Sequence, residues 1–275
     1  MATKKRSEPA PLTPESLHFA RVAEEFARGE ASEQNGIGTL AEKRLHAVIK
    51  RYLSEDESTH ERPVADLLAD ADTPAKKKPM VADILVDGHI FEVQTGSCYP
   101  LRKKLEWYMT HTAYNVTVVC PVAAVKYLSW IDPESGQIVS RTRCRRRGQV
   151  KDVSRELYWL SQFIGNPRFS IRVLLLELEE YRMKDGWSRD GKRGSNRYDR
   201  FPTALLGEVE LTSKEDYDLY FLPDTLSHES FTAADYARET GIRGKATYGL
   251  LQLLVELGLL CKSERIGRAQ GYRRV

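Results

Sequence analysis

Long apolar segments are missing from this sequence of 275 residues. No apolar run approaches the roughly 18 residues that a transmembrane helix requires. The first residues, MATKKRSEPAPLTPE, also lack the apolar stretch of a secretory signal peptide. We therefore expect a cytoplasmic protein, nucleoid-associated if it is prokaryotic, with no membrane partner. Residues 1–15 are polar and contain prolines, which predicts a disordered tail.

Cysteine is scarce, and its spacing excludes common cysteine-dependent architectures. The four cysteines are Cys98, Cys120, Cys144 and Cys261. They form no CxxC pair and have no histidine at zinc-ligand spacing. The pattern argues against a zinc site and against a disulfide framework, and it favours a reducing compartment.

Net charge is also small, +3, but the arginines are clustered. Residues 141–147 contain five arginines: Arg141, Arg143, Arg145, Arg146 and Arg147. So dense a run repels itself unless an anion neutralises it, which favours contact with nucleic-acid phosphates. The alternative is a solvated, flexible arm.

The rest of the chain is organised around residues 81–96, VADILVDGHIFEVQTG. Asp87-Gly88 is the strongest short signal for a two-residue type I′ hairpin, because both central residues need positive φ. The register that follows places Asp83 opposite Glu92 on one face. The opposite face is a predicted core face and carries Ala82, Ile84, Val86, Phe91 and Val93.

The opposed carboxylates of Asp83 and Glu92 need an explanation, because like charges across a ladder destabilise a sheet. A solvated sheet face can tolerate them, and this is the simpler interpretation. A divalent cation such as Mg²⁺ or Mn²⁺ offers another, since hard cations bind carboxylate and carbonyl oxygens. Gln94 lies one step further along the same face.

A third acid lies near the start of a helix predicted over residues 39–53. The apolar positions of this helix have helical spacing and are Leu45, Val48, Ile49 and Tyr52. Glu42 lies on the same stripe, where an acid is unusual. Two explanations remain open at this point: a metal ligand, or a capping box in which Glu42 reaches back to the Thr39 backbone N–H.

Further elements follow from periodicity and turn signals. We predict a helix over residues 16–28 that Gly29 ends, a strand in preference to a helix over 61–68, a helix over 98–112, a strand over 114–122, a hairpin of 127–131 with 137–142, a helix over 153–164 and a strand over 169–177. Trp159 and Phe163, four positions apart, are interpreted as core residues in preference to base-stacking platforms.

The order helix, strand, hairpin, helix, strand resembles the core of the PD-(D/E)xK nuclease superfamily over roughly residues 36–125. Asp83 and the segment Glu92-Val93-Gln94 occupy the motif positions. Ala82 stands where the motif has proline, and Gln94 stands where it has lysine. The resemblance implies an α/β fold, a restriction-endonuclease-like αβββαβ mixed sheet flanked by helices, within a domain of residues 16–180.

The resemblance also implies the chemistry of a metal-dependent nuclease. The implied ligands of Mg²⁺ or Mn²⁺ are Glu42, Asp83, Glu92 and the carbonyl of Val93. Such a metal neutralises phosphate charge and activates a water molecule. Gln94 cannot act as a base but can orient the water or the phosphate. Lys103 is a candidate for the missing positive charge, and its alternative is a solvated helix lysine.

The C-terminal part predicts a second domain over residues 212–275, after a basic linker or loop over 181–211. Helix, short turn, helix and β-hairpin resemble a winged helix-turn-helix. Its second helix is expected to present Arg243, Lys245, Thr247 and Tyr248 to the DNA major groove. The predicted wing is basic and carries Lys262, Arg265, Arg268, Arg273 and Arg274. The alternative is a protein–protein module.

Two functions remain after these arguments. The first is a metal-dependent endodeoxyribonuclease that a winged helix targets to duplex or branched DNA, with a homodimer as the predicted assembly. The second is a non-catalytic DNA-binding regulator that retains a degenerate nuclease fold. The trio of acids favours the first, and the Gln94 and Ala82 departures favour the second.

Overall fold

The computed structural model of this chain describes residues 13–32, 41–64, 80–183, 197–226 and 230–275. The α-helices of these residues are α1 (Pro14–Ser32), α2 (Ala41–Leu53), α3 (Arg102–His111), α4 (Ser154–Leu160), α5 (Lys214–Phe221), α6 (Ala233–Thr240) and α7 (Lys245–Glu256). The strands are β1 (His60–Pro63), β2 (Val81–Val86), β3 (His89–Val93), β4 (Asn115–Ile131), β5 (Ile138–Arg143), β6 (Phe169–Met183), β7 (Arg197–Leu211), β8 (Phe231–Thr232), β9 (Leu260–Ile266) and β10 (Ala269–Arg274).

One large sheet dominates the fold. Its strand order is β1-β2-β3-β4-β6-β7, and β5 pairs with β4 off this path. The β1–β2 and β2–β3 pairs are antiparallel, whereas β3 pairs with β4 in parallel. The predicted α/β class, a mixed sheet flanked by helices, is therefore confirmed.

The predicted hairpin register is confirmed at the turn. Ile84 pairs with Phe91 and Val86 with His89. Asp87 and Gly88 take φ values of 48° and 73°, as a type I′ turn requires. The two-residue loop thus fixes which residues of β2 and β3 share a face.

The turn glycine gives a test of this register. Gly88→Ala is expected to lower the free energy of unfolding by about 1 kcal/mol, because a Cβ disfavours the left-handed region. Gly29→Ala is the matched control, since Gly29 lies inside α1 with no neighbouring atom within 4 Å of an added Cβ. That change is expected to stabilise by about 0.5–1 kcal/mol. Denaturant unfolding of both variants measures the difference, and equal signs would contradict the assigned turn.

Several elements extend beyond their predicted ends. Helix α1 runs on to Ser32, so the expectation that Gly29 ends it is wrong. Strand β4 continues without a break into its hairpin with β5, because residues 123–126 stay extended. Residues 197–211, assigned to a linker from the sequence, form β7. The predicted tail over residues 1–15 falls mostly outside the described residues.

The C-terminal elements have the predicted order. Strands β8, β10 and β9 form a three-stranded sheet beside α6 and α7. Helix α6 begins with a capping box between Thr232 and Asp235 and ends at Gly241 with φ 74°. Gly267, with φ 63°, turns β9 into β10. Local turn and capping signals therefore account for this segment.

The chain divides into two compact units. The first comprises residues 1–48, 123–147 and 175–207, and the second comprises 49–122, 148–174 and 208–275. Strands β4, β6 and β7 contribute residues to both units. No helix of the described residues is long and apolar enough to cross a membrane.

Candidate active site

Asp83 and Glu92 lie on neighbouring strands of the second unit, β2 and β3. The Asp83 Oδ2 accepts a hydrogen bond of 2.8 Å from the Val93 backbone N–H. A side chain thus bridges the two strands beyond the Ile84–Phe91 pair. Asp83 as a whole is half-buried, and its carboxylate is engaged by the backbone of β3.

Glu92 is buried, with 3% of its surface exposed. Its Oε2 lies 2.7 Å from Lys104 Nζ, and its Oε1 accepts a bond of 2.9 Å from the Tyr108 hydroxyl. Both partners come from α3, where positions four apart share one helix face. The solvated sheet face considered from the sequence is therefore wrong for Glu92.

The environment of Glu92 disfavours its charge. Burial raises the pKa of this carboxyl to about 7, and the negative charge of Asp83 adds to the effect. Lys104 and Tyr108 oppose the shift but do not cancel it. Burial and the Glu92 charge also raise the pKa of the Tyr108 hydroxyl. Glu92 consequently exchanges a proton near neutrality, as groups at functional sites often do.

Lys104, not Lys103, is the lysine that reaches the site. Lys103 is exposed, one position away on the solvent side of α3. Lys104 lies on the same stripe as Leu105 and Tyr108, both of which are buried. This helical register was a usable signal in the sequence, and it identifies both Lys104 and Tyr108 as site residues that the sequence reasoning missed.

Gln94 is held by the loop that follows β3. Its Nε2 donates a 2.6 Å hydrogen bond to the Ser97 carbonyl, and its backbone N–H donates to the Val119 carbonyl. The loop, residues 94–101, is tethered in turn by a 2.7 Å bond from the Cys98 N–H to Glu156 of α4. The side chain of Gln94 thus orders the route from β3 to α3.

Glu42 lies in the first turn of α2. Its side chain falls outside the described part of the chain, as does Thr39 of the possible capping box, so both interpretations of Glu42 stay predictions. Among the described side chains, no group of three or more His, Cys, Asp or Glu residues could hold a metal ion. Asp83 and Glu92 supply two carboxylates, whose oxygens are the ligands that hard cations prefer. A bound cation would also relieve the repulsion between the two charges.

The arginines of residues 141–147 do not all have the same role. Arg141 makes a bidentate pair with Glu179, in which Nη2 donates to Oε2 at 2.8 Å and Nε donates to Oε1 at 3.2 Å, and its guanidinium lies 3.7 Å from the Tyr127 ring centroid. Arg141 is therefore engaged in an intramolecular ion pair, although its side chain is half-exposed. Arg143, Arg145, Arg146 and Arg147 are exposed as well.

The predicted DNA-facing residues of α7 are divided as well. Lys245 and Tyr248 are exposed, as is Arg243 in the preceding turn. Thr247 is buried, and its hydroxyl donates a 2.8 Å bond to the Ile242 carbonyl. The expectation that Thr247 faces a ligand is thus wrong, because its side chain ties the start of α7 to the turn.

The predicted wing, β9 with β10, exposes most of its basic residues. The exposed ones are Lys262, Arg265, Arg268 and Arg273. Arg274 differs, since its guanidinium pairs with Asp218 of α5. Arg274 therefore contributes to the packing of β10 against α5.

Comparison with known proteins gives one family match. A family model described as a domain of unknown function (DUF8091) matches residues 43–212. No curated protein and no solved structure matches the chain. The matched range contains Asp83, Glu92 and Lys104, whereas α6, α7 and the three C-terminal strands lie outside it.

Proposed function

The chain belongs to the DUF8091 family of domains of unknown function, and we propose that it is a metal-dependent nuclease that hydrolyses phosphodiester bonds in DNA. Asp83 and Glu92 are the proposed metal ligands. Lys104 replaces the motif lysine of the PD-(D/E)xK nucleases that the hairpin resembles. The C-terminal module, residues 212–275, is the proposed DNA-targeting part.

The observation that carries this proposal is the burial of Glu92 beside Asp83. Two neighbouring carboxylates, one of them almost inaccessible to water, weaken a fold, and such a cost is typically retained at functional sites. Lys104 brings a positive charge to within 2.7 Å of Glu92 Oε2. Paired acids can bind a divalent cation, and a nearby lysine adds positive charge, which supports phosphodiester hydrolysis at this end of the β-hairpin.

Each residue has a defined task in the proposed mechanism. Asp83 and Glu92 would hold Mg²⁺ or Mn²⁺, which supplies charge neutralisation and an acidified water. Lys104 is placed to donate to a phosphate oxygen or to the attacking water. Tyr108 holds the Glu92 carboxylate in position through a 2.9 Å bond. Gln94 acts through the loop, because its side chain is bonded to the Ser97 carbonyl.

The C-terminal module supports a targeting role. Its strand order β8-β10-β9, with α6 and α7 between β8 and β9, supports the proposal of a winged helix. Helix α7 exposes Lys245 and Tyr248 near its start, and the β9–β10 hairpin exposes Arg265 and Arg268. Such contacts are largely to phosphates, so binding is expected to fall steeply with salt.

Cleavage of supercoiled plasmid with Mg²⁺ or Mn²⁺ tests the function. Wild type is expected to nick the plasmid, and Asp83→Ala is expected to show no nicking above background. This change removes one of the two proposed carboxylate ligands and also leaves the Val93 N–H without its Asp83 acceptor. Asp83→Asn is the companion variant, since an amide oxygen can still accept that N–H while the negative charge is lost. Nicking by Asp83→Asn at the wild-type rate would refute the metal role.

The two neighbouring arginines of β5 are expected to separate stability from binding. Arg141→Ala leaves the buried Glu179 without its bidentate partner and is expected to lower the free energy of unfolding by about 1 kcal/mol. This value is at the low end of the cost of an unsatisfied buried group, because Arg141 is half-exposed and solvent screens the pair. Arg143→Ala is expected to change stability by less than about 0.5 kcal/mol and to weaken DNA binding. Denaturant unfolding and gel shift measure the two effects. The reverse pattern would contradict this division.

A non-catalytic DNA-binding regulator is the second candidate. It is favoured by Gln94, which stands in the lysine position and is bonded within its own loop. A salt-sensitive gel shift without nicking under any metal would support the regulator. The possible homodimer stays a prediction, and sedimentation with and without DNA tests it.

A further inference from the structure

Three aromatic rings lie in contact next to the loop of residues 94–101. Tyr99, in that loop, is 58% exposed and meets Trp159 of α4 edge-on, with ring centroids 4.8 Å apart. Trp159 meets Tyr158 in the same way, also at 4.8 Å. Tyr158 is 55% exposed, so both outer rings of this row present surface to solvent.

Both ends of the row are anchored. The Cys98 N–H donates to Glu156 of α4, which fixes the loop beside Tyr99. At the other end Tyr158 lies on α7 at Gly249, where a Cβ would come within 2.9 Å of the Tyr158 ring. A side chain at position 249 would displace the ring. The row thus connects the loop that leaves the Glu92 strand to α7 of the C-terminal module.

Burial in a core does not explain the two tyrosines, because both are more than half exposed, and Trp159, interpreted from the sequence as a core residue, is only half-buried. Cations lie near these rings along the chain: Arg155 is exposed three residues before Tyr158 on α4, and the half-buried Arg102 follows Tyr99 by three residues. Flat aromatic surfaces among cations suit stacked nucleobases on a phosphate backbone.

We propose that Tyr99, Trp159 and Tyr158 form a stacking platform for unpaired bases. The preferred substrate of the proposed nuclease is then a nucleic acid with a single-stranded segment, such as a flap, a branch or the locally unpaired segments of a supercoiled plasmid, over relaxed duplex. This inference rests on the proposed function for its substrate role. The base contact itself is independent of cleavage.

Binding of two fluorescent strands without metal, in EDTA, tests the platform. One strand is oligodeoxythymidine, and the other is an abasic strand of the same length, which has the same phosphates but no bases. Wild type is expected to prefer the thymidine strand by about tenfold, the low end of the effect of one stacked base. Tyr99→Ala is expected to lose most of that preference, whereas Tyr99→Phe retains it.

Controls separate the platform from general effects. Leu219→Ala removes a side chain that is 74% exposed on α5 and is expected to leave both affinities unchanged. Circular dichroism verifies that Tyr99→Ala is folded. Equal affinity of wild type for the two strands would overturn the platform, even if plasmid is cut. A lost preference in Tyr99→Ala together with no cleavage by wild type would refute the nuclease and keep the platform.

Discussion

Lys104→Met is expected to slow metal-dependent cleavage by about a hundredfold or more, which is the usual cost of removing one preorganised donor from a charged transition state. Methionine retains most of the length and apolar contact of the lysine side chain but removes the charge. The loss should therefore lie in the rate at saturating DNA and not in DNA affinity. Single-turnover cleavage of a labelled substrate measures the two separately.

Lys103→Met is the matched control, since it removes the same charge from the adjacent position. Lys103 is exposed, and its replacement is expected to change the rate by less than about threefold, as removal of one solvated charge does. Equal loss in the two variants would mean that α3 acts only through its overall charge. Loss in Lys103→Met alone would restore the assignment made from the sequence.

The second large effect is a dependence of stability on pH that arises at Glu92. The pKa of this carboxyl rises from 4.5 to about 7 on folding, so the folded state binds more protons than the unfolded state between these values. Unfolding free energy therefore falls as pH rises through that window. The full contribution is about 3 kcal/mol, at 1.36 kcal/mol for each unit.

Glu92→Gln is expected to remove this dependence. The variant keeps the size and an acceptor for Tyr108 but has no charge to bury, so its stability at pH 8 should exceed that of wild type while the two agree more closely at pH 4.5. Urea unfolding in EDTA at several pH values measures both curves. Glu264→Gln, an exposed acid of β9, is the control and should follow wild type. Parallel curves for wild type and Glu92→Gln would contradict the assigned environment.

The hairpin was predictable because its information is local. Asp87 and Gly88 specify the turn, and the turn specifies every partner in the register. The position of Glu92 was predictable for the same reason, but its burial was not. Burial arises because β3 also pairs with β4 and because Tyr108 of α3 lies on the same face, and neither fact is written in the hairpin itself.

Other differences arise where tertiary contacts decide between similar residues. Lys103 and Lys104 are equivalent in composition, and only the buried stripe of α3 distinguishes them. Thr247 looks like a groove-facing residue until the turn before α7 requires its hydroxyl. Arg141 belongs to a cationic run, yet it forms an ion pair with Glu179, which lies 38 residues away in the sequence. The Glu179 partner of Arg141 is non-local and has no signal in a single sequence, whereas the helical spacing of α3 and the turn before α7 are local.

The bond between the Val93 amide and Asp83 has a practical consequence. This amide proton is held by an ionisable side chain and not by a carbonyl of the ladder. Its NMR chemical shift and its solvent-exchange rate therefore respond to the charge state of Asp83, whereas ordinary ladder amides do not. The Val93 amide signal would therefore report binding of the proposed metal to Asp83 and Glu92, independently of any DNA cleavage.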